Sequence, residues 1–327
     1  MASLLLFNPE NDLALAANSA NYTPPAAAVR IRTAGALLPM WFARPGDYIL
    51  APAGMESQAE QMCAEYNLYG KIFTPDAVSE IDRCIPWGWS SYAVHTFIKA
   101  GINPGILPDS KKIDLWRNLS HRRTSIAILR ALSFPDLPVE AFSAEEALLA
   151  VESFGGEAYL KFPWSGSGRG VFPVTVSGSS LRSLAESSIR RQGSVIIEPK
   201  YDVVTDFAML FNCEDAEARF HGLSMFKTMP GGTYSGNIIA SQSYIAENIG
   251  VSPLELEILK RSLEEALTQC VASGYSGPVG IDMMIAVRNG KRIIVPCIEI
   301  NLRYTMGFVA QAIAQATNPI NPSLLHL

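Results

Sequence analysis

GPVGIDMMIAVRNGKRIIVPCIEINLR, residues 277–303, is the stretch from which the fold can be read. Two apolar runs flank Asn289-Gly290, the dipeptide favoured in a two-residue type I′ turn, so a β-hairpin pairing Arg288 with Lys291 is predicted. Counting back from that turn, Asp282 faces Cys297 and lies diagonal to Glu299. Strand side chains alternate, so Glu299 and Asn301 share a face with Cys297 and therefore with Asp282. Carboxylates held together among Ile, Met and Val repel each other and lose hydration unless a cation joins them. Mg²⁺ or Mn²⁺ meets that need, taking carboxylate and amide oxygens while keeping positions for water and phosphate. Arg303, two residues further on the same alternation, is placed to meet a phosphate or a substrate carboxylate. The competing interpretation is an edge hairpin with solvated acids, which the apolar neighbours disfavour.

Upstream, YLKFPWSGSGRGVFPV (159–174) sets Lys161 at the end of a predicted strand and Gly166, Gly168 and Gly170 at alternate positions after it. Glycines bring backbone N–H groups close to a bound anion, and a lysine leaving the strand can meet the same phosphates as a point charge. The order of a Walker A loop is absent, and VFPV returns at once to strand, so neither P-loop nor dinucleotide geometry is expected. An ordinary hairpin with a surface lysine would give the same local pattern. SVIIEPKY (194–201) is a strong β run ending at Glu198-Pro199, and Asp206 opens the next strand. A strand end of this kind offers acceptor and donor to an adenine edge, and an aspartate offers an acceptor to ribose hydroxyls.

Around these segments the pattern predicts an α/β unit over about 1–105. It contains strands at 4–9, 47–52 and 71–73, a helix over 56–67 and another from Ser90, with Trp87 and Trp89 packing between layers. Helices follow at 120–132 and from a capping box at Ser143–Glu146. Strands are expected at 158–162, 171–174, 194–198, 206–212 and 218–226. Helices over 179–191, 253–272 and 305–316 complete the chain, with a glycine-containing loop at 230–237. After the first strand, Asn8, Glu10, Asn11 and Asp12 form a polar cluster that can line a substrate site or close an Asx-type turn.

The chain has 327 residues and a formal charge of −5, which gives no electrostatic case for DNA or RNA. No run approaches the roughly 20 apolar residues that span a bilayer, and MASLLLFNPEND lacks the basic start and long apolar core of a secretion signal. Five widely spaced cysteines, with no CxxC pair, fit reduced thiols in a cytoplasmic protein. None of the four histidines has a partner readable from sequence.

Taken in order, Lys161, the 166–170 glycine loop, Glu198, Asp206, Asp282, Glu299, Asn301 and Arg303 resemble the nucleotide-binding framework of the ATP-grasp superfamily. The resemblance covers about 110–316, and its specific part is the order Lys, Gly-loop, Glu, Asp, Glu-x-Asn-x-Arg. It implies an α/β and α+β chain. An N-terminal α/β domain (1–108) would precede an ATP-grasp module (109–327) with subdomains 109–200 and 201–327. It implies that Lys161 contacts the α-phosphate and adenine N7 region, and that Gly166, Ser167, Gly168 and Gly170 cover the β- and γ-phosphates. Glu198 and the backbone through Tyr201 would read the adenine edge and Asp206 the ribose. Asp282, Glu299 and Asn301 would hold Mg²⁺, and Arg303 would steady the transferred group.

Two departures stand out. The lysine usual in the first helix of the module is replaced by Arg122, beside Arg123. The residue two before the first metal carboxylate, often basic, is Gly280, so Lys227 or Arg219 is the candidate for the missing phosphate contact, and the 230–237 loop for closing on substrate. The family's chemistry implies ATP and Mg²⁺, a small-molecule carboxylate activated as an acyl phosphate, and an amine or thiol acceptor. The acid would lie at the seam between the first domain and the nucleotide module. A small-molecule phosphotransferase and a non-catalytic ATP-binding sensor or scaffold are the alternatives. A homodimer is common at this size.

Overall fold

A computed structural model describes residues 2–166, 170–229, 234–288 and 290–326. In chain order its elements begin with β1 (Ala2–Leu6), α1 (Asn11–Ala17), α2 (Ala26–Ala34), β2 (Tyr48–Ile49), α3 (Glu56–Tyr66), β3 (Lys71–Ile72), β4 (Ile81–Pro86), α4 (Ser91–Lys99) and α5 (Ser110–Leu119). They continue with α6 (Arg123–Ala131), β5 (Val139–Ala141), α7 (Ala144–Ser153), β6 (Glu157–Lys161), β7 (Val171–Thr175), α8 (Ser180–Gln192), β8 (Val195–Pro199), β9 (Asp202–Glu214) and β10 (Glu217–Thr228). The last are β11 (Tyr234–Ile239), α9 (Gln242–Asn248), α10 (Pro253–Leu267), β12 (Gly277–Arg288), β13 (Lys291–Asn301), α11 (Met306–Thr317) and β14 (Ser323–Leu325). The chain divides into two compact units: Met1–Arg117 with Gly236–Gln242 and Arg303–Leu327, and Asn118–Ser235 with Ser243–Leu302.

The first unit is built on a parallel sheet ordered β3-β2-β1-β4. Its central strand is apolar at consecutive positions because both faces are covered. Leu4 and Leu6 pack with Phe97 of α4, while Leu5 faces Met40, Ile49 and Ala59 on the other side. The segment 303–327, expected within the nucleotide module, groups with this unit. The Tyr304 amide donates to the Trp87 carbonyl (2.9 Å), and Val309 of α11 shares a core with Phe7 and Trp87. The described part of the expected 230–237 loop is strand instead, since β11 pairs with β14 through Asn237–Leu325 and Ile239–Ser323. That pairing joins segments more than 80 residues apart, and nothing local in the sequence announces it. Residues 230–233 lie outside the described residues.

The second unit holds two antiparallel sheets. In the first, ordered β5-β8-β6-β7, the inward faces of β6 and β8 bury Ala158, Leu160, Val195 and Ile197 against α7 and α8. Ser143 caps α7 by accepting from the Glu146 amide (3.0 Å), but Glu146 reaches the Phe142 amide (2.7 Å) and not that of Ser143 as the capping box predicts. In the second, β12 lies between β9 and β13, with β10 beyond β9. A true capping box opens α10, where Ser252 and Glu255 satisfy each other's backbone amides.

The 277–303 hairpin forms with Arg288 opposite Lys291, as predicted, and Gly290 takes the positive φ that its turn position requires. Asn289 itself lies outside the described residues. The register then departs from simple counting. Met284 pairs with Val295 but Asp282 pairs with Glu299, so β13 carries two extra residues around Cys297. Asp282 therefore stands directly opposite Glu299 and not opposite Cys297. A shift of two preserves side-chain parity, so the shared face survives; a shift of one would have inverted it.

Candidate active site

Lys161 closes β6 and Glu198 closes β8, the strand beside it, and both side chains are almost fully buried in an ion pair with one another. Among the residues assigned to nucleotide contact, these two thus neutralise each other here. A charge in that setting is tolerated only because it is paired. Arg122, at the start of α6, is 5% exposed and reaches three partners on two segments. Its Nε donates to the Phe162 carbonyl (3.1 Å), and its Nη2 donates to Ser165 Oγ (3.2 Å) and to Glu299 Oε1 (2.9 Å). The planar fork of arginine allows one residue to tie the root of the glycine loop to the acidic hairpin, a geometry that a lysine could not copy.

The root of that loop is fixed from several sides. The Phe162 amide donates to the Gly170 carbonyl (2.8 Å), and Gln192 bonds both the amide and the carbonyl of Trp164. Gly170 has φ +76°, and a Cβ there would come within 2.9 Å of the Ser165 Cβ, so this position demands glycine. Ser167 and Gly168 lie outside the described residues. His121, which sequence reading left without a role, is buried against Trp164, and its Nδ1 accepts from the Arg123 amide (3.0 Å). Its only sequence signal is adjacency to Arg122.

Three carboxylates border one thiol. Burial pushes the Cys297 thiol up to about 12, reinforced by the charges of Glu198, Asp282 and Glu299. Tyr234 is likewise pushed up by burial and by the charge of Asp282. Asn301 Nδ2 donates to Asp282 Oδ2 (3.2 Å). Among the described residues there is no cluster of three or more His, Cys, Asp and Glu side chains arranged to hold a metal. Two carboxylates and one amide are the donor set of a hard ion that keeps most of its positions for water and phosphate oxygens, and they fit Mg²⁺ in that sense.

Asp206 accepts from Thr228 Oγ1 (2.9 Å), and burial raises its carboxyl above the ordinary range despite that bond. Tyr201 is buried with Met284, Ala286 and Val295, and the Arg288 guanidinium lies over its ring while pairing with Asp136. Its side chain is thus core, leaving only its backbone for adenine. Gly166 is half-buried, and Lys227 is exposed near the end of β10. Arg219 is exposed and paired with Glu217.

In the first unit, Arg303 does not continue the β13 alternation. It pairs with Asp12 through two bonds, Nη2 to Oδ2 (2.7 Å) and Nε to Oδ1 (3.3 Å), while its backbone bridges to Gly88. Asn8 and Asn11 are committed to the same glycine. Asn8 Nδ2 donates to the Gly88 carbonyl (2.8 Å), and Asn11, in the amide orientation that satisfies its neighbours, donates to that carbonyl (2.9 Å) and to the Trp89 carbonyl (3.2 Å). A Cβ on Gly88 would strike the Asn11 amide. Glu10 is buried and pairs with Arg32 (2.6 Å); burial raises its carboxyl in spite of that partner. The polar cluster after β1 is thus chiefly bound up in holding the ends of β1 and β4.

The same fold is found in a group of solved structures. The biotin carboxylase domain of 2-oxoglutarate carboxylase from Hydrogenobacter thermophilus superposes with a TM-score of 0.57 at 13% identity, covering 97% of this chain and 70% of that one. N5-carboxyaminoimidazole synthetase from Staphylococcus aureus gives 0.52 at 11% identity, covering 99% and 80%. Biotin carboxylase from Campylobacter jejuni gives 0.50 at 16% identity, covering 98% and 72%.

The chain has the ATP-grasp fold.

No protein-family model matches the sequence, and no curated protein matches it at significance. The likeness therefore lies in the ATP-grasp architecture, carried at identities too low for a substrate to transfer with it. Among the described residues no helix is long and apolar enough to cross a membrane.

Proposed function

We propose that this protein is an ATP- and Mg²⁺-dependent ligase that activates a small-molecule carboxylate as an acyl phosphate for attack by an amine or a thiol. The observation that carries the proposal is the gathering, within one unit of the ATP-grasp fold, of two cations, Lys161 and Arg122, with Glu198, Asp282, Glu299 and Asn301. Structures of the same fold solved with ADP, and with MgADP and bicarbonate, support the choice of nucleotide.

In this reading Lys161 and Arg122 meet the phosphates, with Gly166, Ser167, Gly168 and Gly170 covering them through backbone amides. Both cations are balanced by acids in the present structure, so phosphate binding is an exchange of partners: Lys161 turns from Glu198 and Arg122 from Glu299. The released Glu299, with Asp282 and Asn301, would hold Mg²⁺, which when bound supplies neutralisation of the oxygens of the transferred group. Glu198 and the backbone through Tyr201 take the adenine edge, and Asp206 the ribose. Lys227 is the further cation assigned to the reacting anion, and the resemblance alone assigns Arg303 a part in steadying the transferred group. A carboxylate nucleophile is already ionised at neutral pH and requires no general base. The chain's part is to neutralise and align charge, which is the larger share of phosphoryl-transfer catalysis.

The test is isothermal titration with ATP, with and without Mg²⁺, on the wild type and on Glu299→Gln and Asp282→Asn. Each substitution is expected to weaken Mg²⁺-dependent binding by at least about tenfold, roughly 1.4 kcal/mol. A folded wild type that binds no ATP under either condition overturns the assignment. ADP release that depends on added acid and acceptor then separates ligase from phosphotransferase and from a sensor without turnover.

A further inference from the structure

The parallel sheet of the first unit reverses its strand order beside β1, since the chain moves outward through β2 and β3 and then returns to place β4 on the other side of β1. In open α/β sheets such a reversal opens a crevice beyond the carboxyl ends of the two strands, where ligands bind. Glu10 follows the carboxyl end of β1, and Tyr92 follows that of β4 in the first turn of α4. Arg32, on α2 in the connection from β1 to β2, joins them. Its Nη1 donates to Glu10 Oε1 (2.6 Å) and to the Tyr92 hydroxyl (3.0 Å).

Those two bonds account for both hydrogens of Nη1. Among the described residues the remaining edge of the guanidinium, Nε with Nη2, has no hydrogen-bond partner, and the side chain is 28% exposed and thus reachable from solvent. That edge carries parallel N–H groups in the fork geometry that takes both oxygens of a carboxylate. The Tyr92 hydroxyl accepts from Arg32, so its own proton remains to be donated. Tyr22 packs edge-on against the Tyr92 ring, at 5.6 Å between centroids, and limits how that hydroxyl can turn. The Glu10 side chain is wholly buried beneath the guanidinium, and its charge fixes Arg32 in place without competing for its outer edge. Donors without acceptors converge at the place where the topology opens a crevice.

We infer that Arg32 and Tyr92 form a receptor for an oxyanion of the substrate, a carboxylate that does not itself react, with Glu10 as the positioning residue behind Arg32. This rests on the ligase reading for its link to catalysis, and it narrows the acid substrate to one carrying a second anionic group, so a dicarboxylate or an amino-dicarboxylate and not a simple monoacid. A phosphate ester would satisfy the same donors and is distinguished by test.

The experiment follows the arginine Nε–H correlations of the full-length ¹⁵N-labelled protein by NMR, with the Arg32 signal assigned by its loss in Arg32→Lys. Glutarate, inorganic phosphate and uncharged glutaramide are titrated in turn. A saturable shift of the Arg32 signal with glutarate and none with glutaramide supports the receptor; a shift with phosphate alone keeps the oxyanion site and reassigns its ligand to a phosphate ester. Glu10→Gln, which leaves Arg32 present, is expected to weaken the response at least fivefold, and Tyr92→Phe to weaken it less. No response to either anion, or equal response to glutaramide, overturns the inference. MgATP titration of the same samples separates the outcomes: a protein that binds MgATP but shows no Arg32 response loses this site and keeps the ligase reading, and the converse result loses the ligase reading alone.

Discussion

Lys161 was legible in the sequence as a lysine leaving a strand ahead of a glycine loop, but its partner was not. Glu198 ends a β run suited to an adenine edge, and its pairing with Lys161 depends on β6 lying beside β8, which no local pattern states. Because both groups are buried, removing one leaves the other uncompensated, at a cost of about 3–5 kcal/mol, while replacing both with apolar residues is close to neutral. Lys161→Met should therefore lower unfolding stability by about 3 kcal/mol in urea titration, and adding Glu198→Leu should recover most of that loss. A double variant no more stable than the single would mean that the ion pair is not what holds these strand ends together. Arg122 shows the complementary case. Its place just ahead of α6, where the resemblance leads one to expect a lysine, is legible in the sequence, whereas its three simultaneous partners, 40 to 177 residues away, are not.

The hairpin at 277–303 is the element on which the acidic site depends. Its turn and its shared face were determined by Asn289-Gly290 and by alternation, but the direct pairing of Asp282 with Glu299 came from two extra residues in β13. Deleting Cys297 alone should turn Glu299 and Asn301 to the opposite face and abolish Mg²⁺-dependent ATP binding in calorimetry. Deleting Cys297 and Ile298 together restores the simple count, keeps the face and should retain measurable binding. Equal loss in both, with circular dichroism intact, would show that parity is not what matters. The root of the glycine loop follows the same logic, since Gly170 was readable as a turn residue while its clamp by Gln192, Arg122 and Ser165 required α8 and α6 to be packed in place.

At the scale of the molecule, burial sorts the five thiols. Burial raises Cys84 and Cys297 to about 12 and Cys213 to about 11, while Cys63 and Cys270 are raised less far and remain half-buried. Thiolate is the reacting form, so iodoacetamide at pH 8 should label Cys63 and Cys270 first and reach the other three only on unfolding, as read by peptide mass spectrometry over time. Early labelling of Cys297 would contradict the burial of the acidic site. The sequence by itself determined the class of the fold, the hairpin with its acids and the strand end from which the glycine loop leaves, because strand alternation, turn chemistry and glycine spacing act over a few residues. Only the tertiary structure decided that residues 303–327 join the first unit, that Arg303 pairs with Asp12, that Lys161 and Arg122 begin balanced by Glu198 and Glu299, and that Arg32 keeps an open edge over Glu10. Each of those is a meeting of charges brought together by packing between segments far apart in the chain, and the energy of such a meeting depends on burial and distance, which a sequence does not state.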